Sequence, residues 1–130
     1  MKRSYRLYCR LAAGVFIILT LYPAITKFLQ ERLAHDWLHS LLHLGSALFG
    51  VYAGWRATNV MPAKVFTWGI GVLYLGLGVY GWFTPGLFLN THFAIPLGVV
   101  DNVFHLLLSA PALIILVLDL AKPQRLIASS

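Results

Sequence analysis

Four apolar runs free of Asp, Glu, Lys and Arg divide the chain: Leu11 to Thr26, Trp37 to Trp55, Val65 to Phe83 and Asn102 to Leu118. A helix needs about 20 mainly apolar residues to cross the ~30 Å hydrocarbon core of a bilayer. The second and third runs meet that length. Arg10 and Lys27 can snorkel and so extend the first. The pattern predicts an all-α, transmembrane four-helix bundle in a single domain over residues 1–130, with spans at about 8–28, 36–55, 65–83 and 99–120. Pro23 is expected to kink the first helix, Pro62 to open the third, and Pro111 to lie inside the fourth.

Polar positions break the apolar pattern at two places. "HDWLHSLLHLGS" opens the second helix and "VDNVFHLLLS" opens the fourth. His35, His39 and His43 are spaced i, i+4, i+8, so they share a helix face. Ser46, Gly50 and Gly54 continue much the same stripe, which aims the histidines at a packing interface rather than at lipid. Asp101 and His105 are likewise i, i+4, with Ser109 following. Asp36 suits the N-terminal cap of the second helix. Gly71 and Gly78 offer a second close-packing face, on the third helix.

The two polar openings also align with each other. Each half reads as an outward helix, an outer loop with proline, and an inward helix that opens with an acid and histidine. Two hairpins in one orientation imply a pseudo-twofold axis along the membrane normal. His39 and His43 then fall at the depth of Asp101 and His105, in the outer half of the bundle.

Charge sets the orientation. The chain is 59% hydrophobic and 11% charged, with a formal net charge of +6. In a soluble protein that excess would suggest nucleic acid. Here Lys2, Arg3, Arg6, Arg10, Arg56, Lys64, Lys122 and Arg125 cluster at the two termini and the middle loop, and only Lys27 and Arg32 face the other way. That asymmetry places both termini in the cytoplasm, with the basic ends against anionic headgroups and no nucleic acid partner. The expected location is the bacterial inner membrane. No small-x-small cleavage site follows the first run, so it is expected to remain as an uncleaved helix. Trp37, Trp55, Trp68 and Trp82 read as an interfacial belt, and Tyr22, Tyr74 and Tyr80 as filler or belt.

Three readings of the polar layer compete. In the first, Asp101 accepts a hydrogen bond from a histidine and fixes helix register, worth about 0.6 kcal/mol per contact. In the second, His39, His43, Asp101 and His105 bind a metal, with His35 as a further ligand. Three imidazoles and a carboxylate suit Zn2+, Fe2+ or Mn2+, and the absence of a sulfur cluster counts against Cu(I). In the third, His43 and His105 ligate haem axially, or the cluster relays protons. No nucleophile–base arrangement and no phosphate loop is present, so no catalytic activity is read. The expectation is an accessory or sensory membrane protein whose layer locks the bundle and takes a divalent metal. The alternative is a redox subunit or a small transporter. A homodimer through the glycine-rich third helix, or a larger membrane complex, is the expected assembly.

The motifs resemble a known family. "GVYGWF" followed by "FLNTHFAIPLGVVDNVFHLLLSA", together with "HSLLHLG", is similar to a bacterial four-helix membrane family known as domain of unknown function 4383. The matching positions are His39, His43 and Gly45 on the second helix and Asp101, Asn102, His105 and Leu106 on the fourth. Ser40 departs from the asparagine of the family pattern, and "LLLSAP" from a glycine-containing continuation. The resemblance implies the four-helix fold and no activity.

Overall fold

The computed structural model describes residues 2–29, 37–88 and 94–121. His35, Asp36, Arg32, His92, Lys122 and Arg125 lie outside the described residues. Within them the chain is all-α apart from one short hairpin. Helix α1 spans Lys2–Leu29, α2 Trp37–Val51, α3 Met61–Tyr80 and α4 Val99–Leu120. The antiparallel ladder pairs β1 (Gly86–Phe88) with β2 (Ala94–Pro96) between α3 and α4. Gly86 adopts φ 153°, a conformation that residues with a Cβ avoid.

Among the described residues, three helices are long and apolar enough to cross a membrane: Lys2–Tyr22 within α1, Met61–Tyr80 and Val99–Leu120. The distribution of side chains fits a lipid solvent. Leu11, Ile18, Leu107 and Val117 are each at least three-fifths exposed, whereas His43, Thr67, Asn102, His105 and Ser109 are buried. Apolar groups line the outside and polar groups the inside, the reverse of what water selects.

Helix α4 keeps the bounds that its apolar run predicts. The others shift. Helix α1 begins six residues earlier than expected, because the basic residues of its first turns find carbonyl partners at the neighbouring helix end. Arg6 Nη2 donates to Ala57 O at 2.9 Å and Arg10 Nε donates to Gly54 O at 2.9 Å. Pro23 does not end α1. Helix α2 gives way to a π-helical turn, Tyr52–Arg56, in place of a regular span to residue 55. Its described α-helical part is 15 residues, about 22 Å at 1.5 Å per residue. Pro62 falls in the first turn of α3, as expected. That helix stops three residues early, at Tyr80, and residues 81–83 form a turn ahead of Pro85, which disfavours helix in the residue before it.

The helices pack as two hairpins, α1 with α2 and α3 with α4, and these are the most extensive pairings; α2 and α3 barely meet. The small-residue faces pack as their spacing predicts. A Cβ on Gly50 would lie 3.0 Å from Ala13 Cβ, and one on Gly54 2.9 Å from Arg10 Cγ, so this face seats α1. Gly71 and Gly78 face α4, at Ala112 and Leu106. Close backbone approach of this kind substitutes for hydrophobic drive inside lipid.

The first turns of α1, the turn between the π-helix and α3, and the last turn of α4 gather at one end of the bundle. There Tyr5 Oη donates to Asp119 Oδ2 at 2.9 Å, and Lys64 Nζ bonds the same oxygen at 2.9 Å. Higher up, the Tyr8 hydroxyl donates to Leu108 O at 2.8 Å, in the turn before Pro111. Pro111 lacks the amide that would bond Leu107 O four residues back, and the Tyr8 hydroxyl adds a donor at the next carbonyl, beside that gap in the ladder. Helix α4 continues through Pro111.

Candidate metal centre

At the other end of the bundle the histidines meet. One nitrogen from each of His39, His43 and His105 can be chosen so that all three lie within 4.8 Å of one another. The i, i+4 spacing brings the first two together on α2, with ring centroids 4.4 Å apart. His105 reaches across from α4, its ring 6.3 Å from that of His39. Both His43 (8% exposed) and His105 (3%) are buried. The Gly78 backbone of α3 lets His105 approach, since a Cβ there would lie 3.2 Å from His105 Cβ.

Two aromatic side chains complete the layer. Tyr74 on α3 stands edge-on to His105 at 4.8 Å and 88°, and Phe16 on α1 lies 5.4 Å from Tyr74 and 5.6 Å from His43. Five rings from all four helices therefore form a closed circuit. Tyr74 is only 5% exposed, so it is a wall of the layer and not the filler or belt that its sequence context suggests. An aromatic residue in an apolar run carries no signal that separates the two roles.

Asp101 stands apart from the imidazole set. Its Oδ2 accepts from the Gly98 amide at 3.2 Å, closing the first turn of α4. An acid three residues into a helix is drawn to the unpaired amides there. Its spacing from His105 still keeps it on the same face of α4. His35 lies outside the described residues.

Asn102 is a position that ligand chemistry alone does not single out. It is 1% exposed, and its carboxamide presses on the Gly81 backbone so closely that a Cβ on Gly81 would fall on it. It sits three residues before His105 and fixes where α4 meets the end of α3. A signal exists, in the "DN" that opens the fourth helix, but asparagine suggests no metal ligand.

The register lock expected from the sequence has Asp101 accepting from a histidine, whereas here the Asp101 carboxylate accepts from the Gly98 amide. Among the described residues no hydrogen bond links His43 to His105, and His105 Nδ1 is buried with no hydrogen-bond partner. A buried polar atom without a partner costs about 1–3 kcal/mol, so it marks a position where a further group is expected. Three imidazole nitrogens can hold a metal. In a tetrahedral Zn2+ site with Zn–N near 2.0–2.1 Å, ligand nitrogens lie roughly 3.4 Å apart. Closing the gap takes ring movements of about 1 Å.

A porphyrin fits less well. The ring contacts from Phe16 and Tyr74 fill the layer, and a haem between His43 and His105 would require α2 and α4 to part.

No curated protein and no solved structure matches this chain. The comparison with protein families gives one assignment, to the family described as "Domain of unknown function (DUF4383)", over residues 33–118. The match takes in about two thirds of the chain and contains both polar openings, so the chain belongs to the DUF4383 family.

Proposed function

We propose that this protein is a multi-pass inner-membrane protein, with both termini cytoplasmic, whose histidine layer binds one divalent transition-metal ion. It acts as an accessory or sensory component and not as an enzyme. The observation that carries the reading is the convergence of ligand-capable nitrogens from His39, His43 and His105 within 4.8 Å. An all-nitrogen set favours Zn2+ or Fe2+ and disfavours Mn2+, which prefers oxygen.

Charge balance draws in Asp101. Three neutral imidazoles leave both charges of the ion uncompensated in a low-dielectric layer. Asp101 is the carboxylate on the same face of α4. Its bond to Gly98 is a long one, and losing a helix cap costs about 1 kcal/mol. We assign Asp101 as fourth ligand or as counter-ion to the bound metal.

Purification from membranes under metal-free conditions, followed by elemental analysis and titration with Co2+ as a spectroscopic probe for Zn2+, tests this. One ion per chain is expected, with Co2+ absorption of a tetrahedral nitrogen-rich site. His43→Ala and His105→Ala should remain helical and lose the ion, while Asp101→Asn should retain it more weakly. Equal binding by wild type and a variant lacking all three histidines removes the metal reading and leaves the layer as packing.

A further inference from the structure

We infer that the end of the bundle opposite the histidine layer carries a binding site for the headgroup of an acidic phospholipid. The inference rests on the membrane reading above but not on the metal.

The site is built from the first turns of α1 and the turn that leads into α3. A cavity of about 520 Å³ is lined by Lys2, Arg3, Arg6, Thr58, Asn59 and Val60. A second, of about 450 Å³, is lined by Arg3, Arg6, Leu7 and Arg10. The two share Arg3 and Arg6, so four cations line two adjacent cavities that together form the recess. The carboxylates among the described residues are Asp101, at the other end of the bundle, and Asp119, which Lys64 engages at 2.9 Å. Lys2, Arg3, Arg6 and Arg10 therefore pair with no carboxylate among the described residues.

Two of these cations are held in place before any ligand arrives. Arg6 Nη2 reaches Ala57 O at 2.9 Å and Thr58 O and Asn59 O at 3.4 Å. Arg10 Nε bonds Gly54 O, and its guanidinium lies 5.2 Å over the Trp55 ring. Each guanidinium keeps further N–H donors in a fixed fork, the geometry that binds phosphate oxygens bidentately. Arg3 and Lys2 are exposed and adjustable.

The recess also has an apolar continuation. Leu7 (55% exposed) and Leu11 (63%) follow Arg3 at i+4 and i+8 on the same face of α1, and Ile18 (66%) extends the exposed strip. Bound phosphate at the top and an exposed apolar track running down the helix match a phospholipid and not a free anion. Basic recesses at helix ends beside the headgroup layer are suited to this ligand.

The test uses full-length protein purified from the membrane fraction and reconstituted in nanodiscs. Phosphatidylglycerol is titrated into a phosphatidylcholine background, with native mass spectrometry reading retained lipid. Phosphatidylglycerol should be retained at least tenfold over phosphatidylcholine. Arg3→Gln and Lys2→Gln, both exposed and outside the core, should each weaken retention roughly fivefold, the worth of one base beside an anionic surface. Arg56→Gln removes the same charge at the same end but outside both cavities, and should change retention less than twofold. Millimolar inorganic phosphate should not displace the lipid.

Equal retention of both lipids overturns the inference. So does an Arg56→Gln loss as large as that of Arg3→Gln, which would mean diffuse attraction without a site. Displacement by phosphate would mean a free-anion site and overturns it too. Failure of the protein to fractionate with membranes would instead sink the membrane reading itself, so the two failures are told apart.

Discussion

At the end of the bundle where α1 begins, the polar groups that are buried or half-buried have found protein partners. Tyr5, 1% exposed, gives its hydroxyl to Asp119, Lys64 neutralises the same carboxylate, Arg10 spends a donor on Gly54 O in the π-helical turn and Arg6 on Ala57 O just after it. At the other end His43 and His105 come together without bonding one another, and His105 Nδ1 has no hydrogen-bond partner among the described residues. Both ends bring ionisable side chains together from several helices. The core of the first arrangement is closed within the chain and explains itself as structure. The second leaves hydrogen-bonding capacity unused in a place where unused capacity is costly. A satisfied cluster and an unsatisfied one therefore point to different roles, even when their residue types look equally functional in a sequence.

The largest expected effect lies at the unsatisfied end. Removing an outer-shell partner of a metal ligand already lowers affinity about 10–100-fold, so loss of a ligand itself, in His43→Ala or His105→Ala, should cost on the order of 100-fold or more. Competitive titration against a chromophoric chelator measures it. Imidazole binds metal only when neutral, so protons and metal compete for the same nitrogens and affinity should fall on acidification. Affinity that does not fall at any acid pH at which the protein stays folded would show that the imidazoles are not the donors.

Next comes Gly81→Ala. The new methyl would meet the Asn102 carboxamide, which is buried. Overpacking of this kind costs about 1–3 kcal/mol. Thermal unfolding in detergent should show a clear loss for the single variant and substantial recovery in Gly81→Ala with Asn102→Ala, where the clash is gone. Because Asn102 seats α4 just before His105, the single variant should also weaken metal binding; full retention of affinity would uncouple α4 seating from the layer.

At the closed end Asp119→Ala strips Tyr5 of its acceptor and Lys64 of its counter-charge. Leaving one buried hydroxyl unpaired costs about 1–3 kcal/mol, and the part-exposed ion pair adds at most about 1 kcal/mol. Asp119→Asn keeps an acceptor for Tyr5 and should recover most of the loss. Metal affinity should not move in either variant. A change there would mean that the two ends are coupled and that the contrast drawn between them is too sharp.

Much of this was legible along the chain because it depends on helical periodicity. The bounds of α4, the stripe that runs from His39 through Ser46 to Gly54, and the facing of Gly71 and Gly78 all follow from counting residues on a helix. What was not legible depends on contacts between segments far apart. Nothing local shows that Arg6 and Arg10 would bond the end of α2, that α2 would slip into a π-helical turn, or that Tyr74 would stand against His105. Asp101 is an instructive case. Spacing alone put it with the histidines, whereas its position three residues past Gly98 gave it a nearer donor in its own first turn. The β1–β2 ladder rests on three residues a side, too short for an alternating pattern to announce.

The smallest effect concerns the glycines that contact nothing. At Gly69 and Gly76 on α3 a Cβ would have no neighbouring atom within 4 Å, unlike at Gly71 and Gly78 on the same helix. Within one chain, alanine at either open position should be neutral or stabilising by up to about 1 kcal/mol, from helix propensity alone. Gly78→Ala, by contrast, would meet Leu106 at 2.9 Å and should destabilise. The homodimer expected from the sequence gives the open pair a second reading, because a partner helix needs the same closeness that α4 obtains at Gly71 and Gly78. If two copies meet along this face, Gly69→Ala with Gly76→Ala should leave the unfolding temperature of the monomer in detergent no lower than that of the wild type, while lowering cross-linked dimer in membranes severalfold. Unchanged cross-linking, or monomers alone in the wild type, would return that face of α3 to lipid.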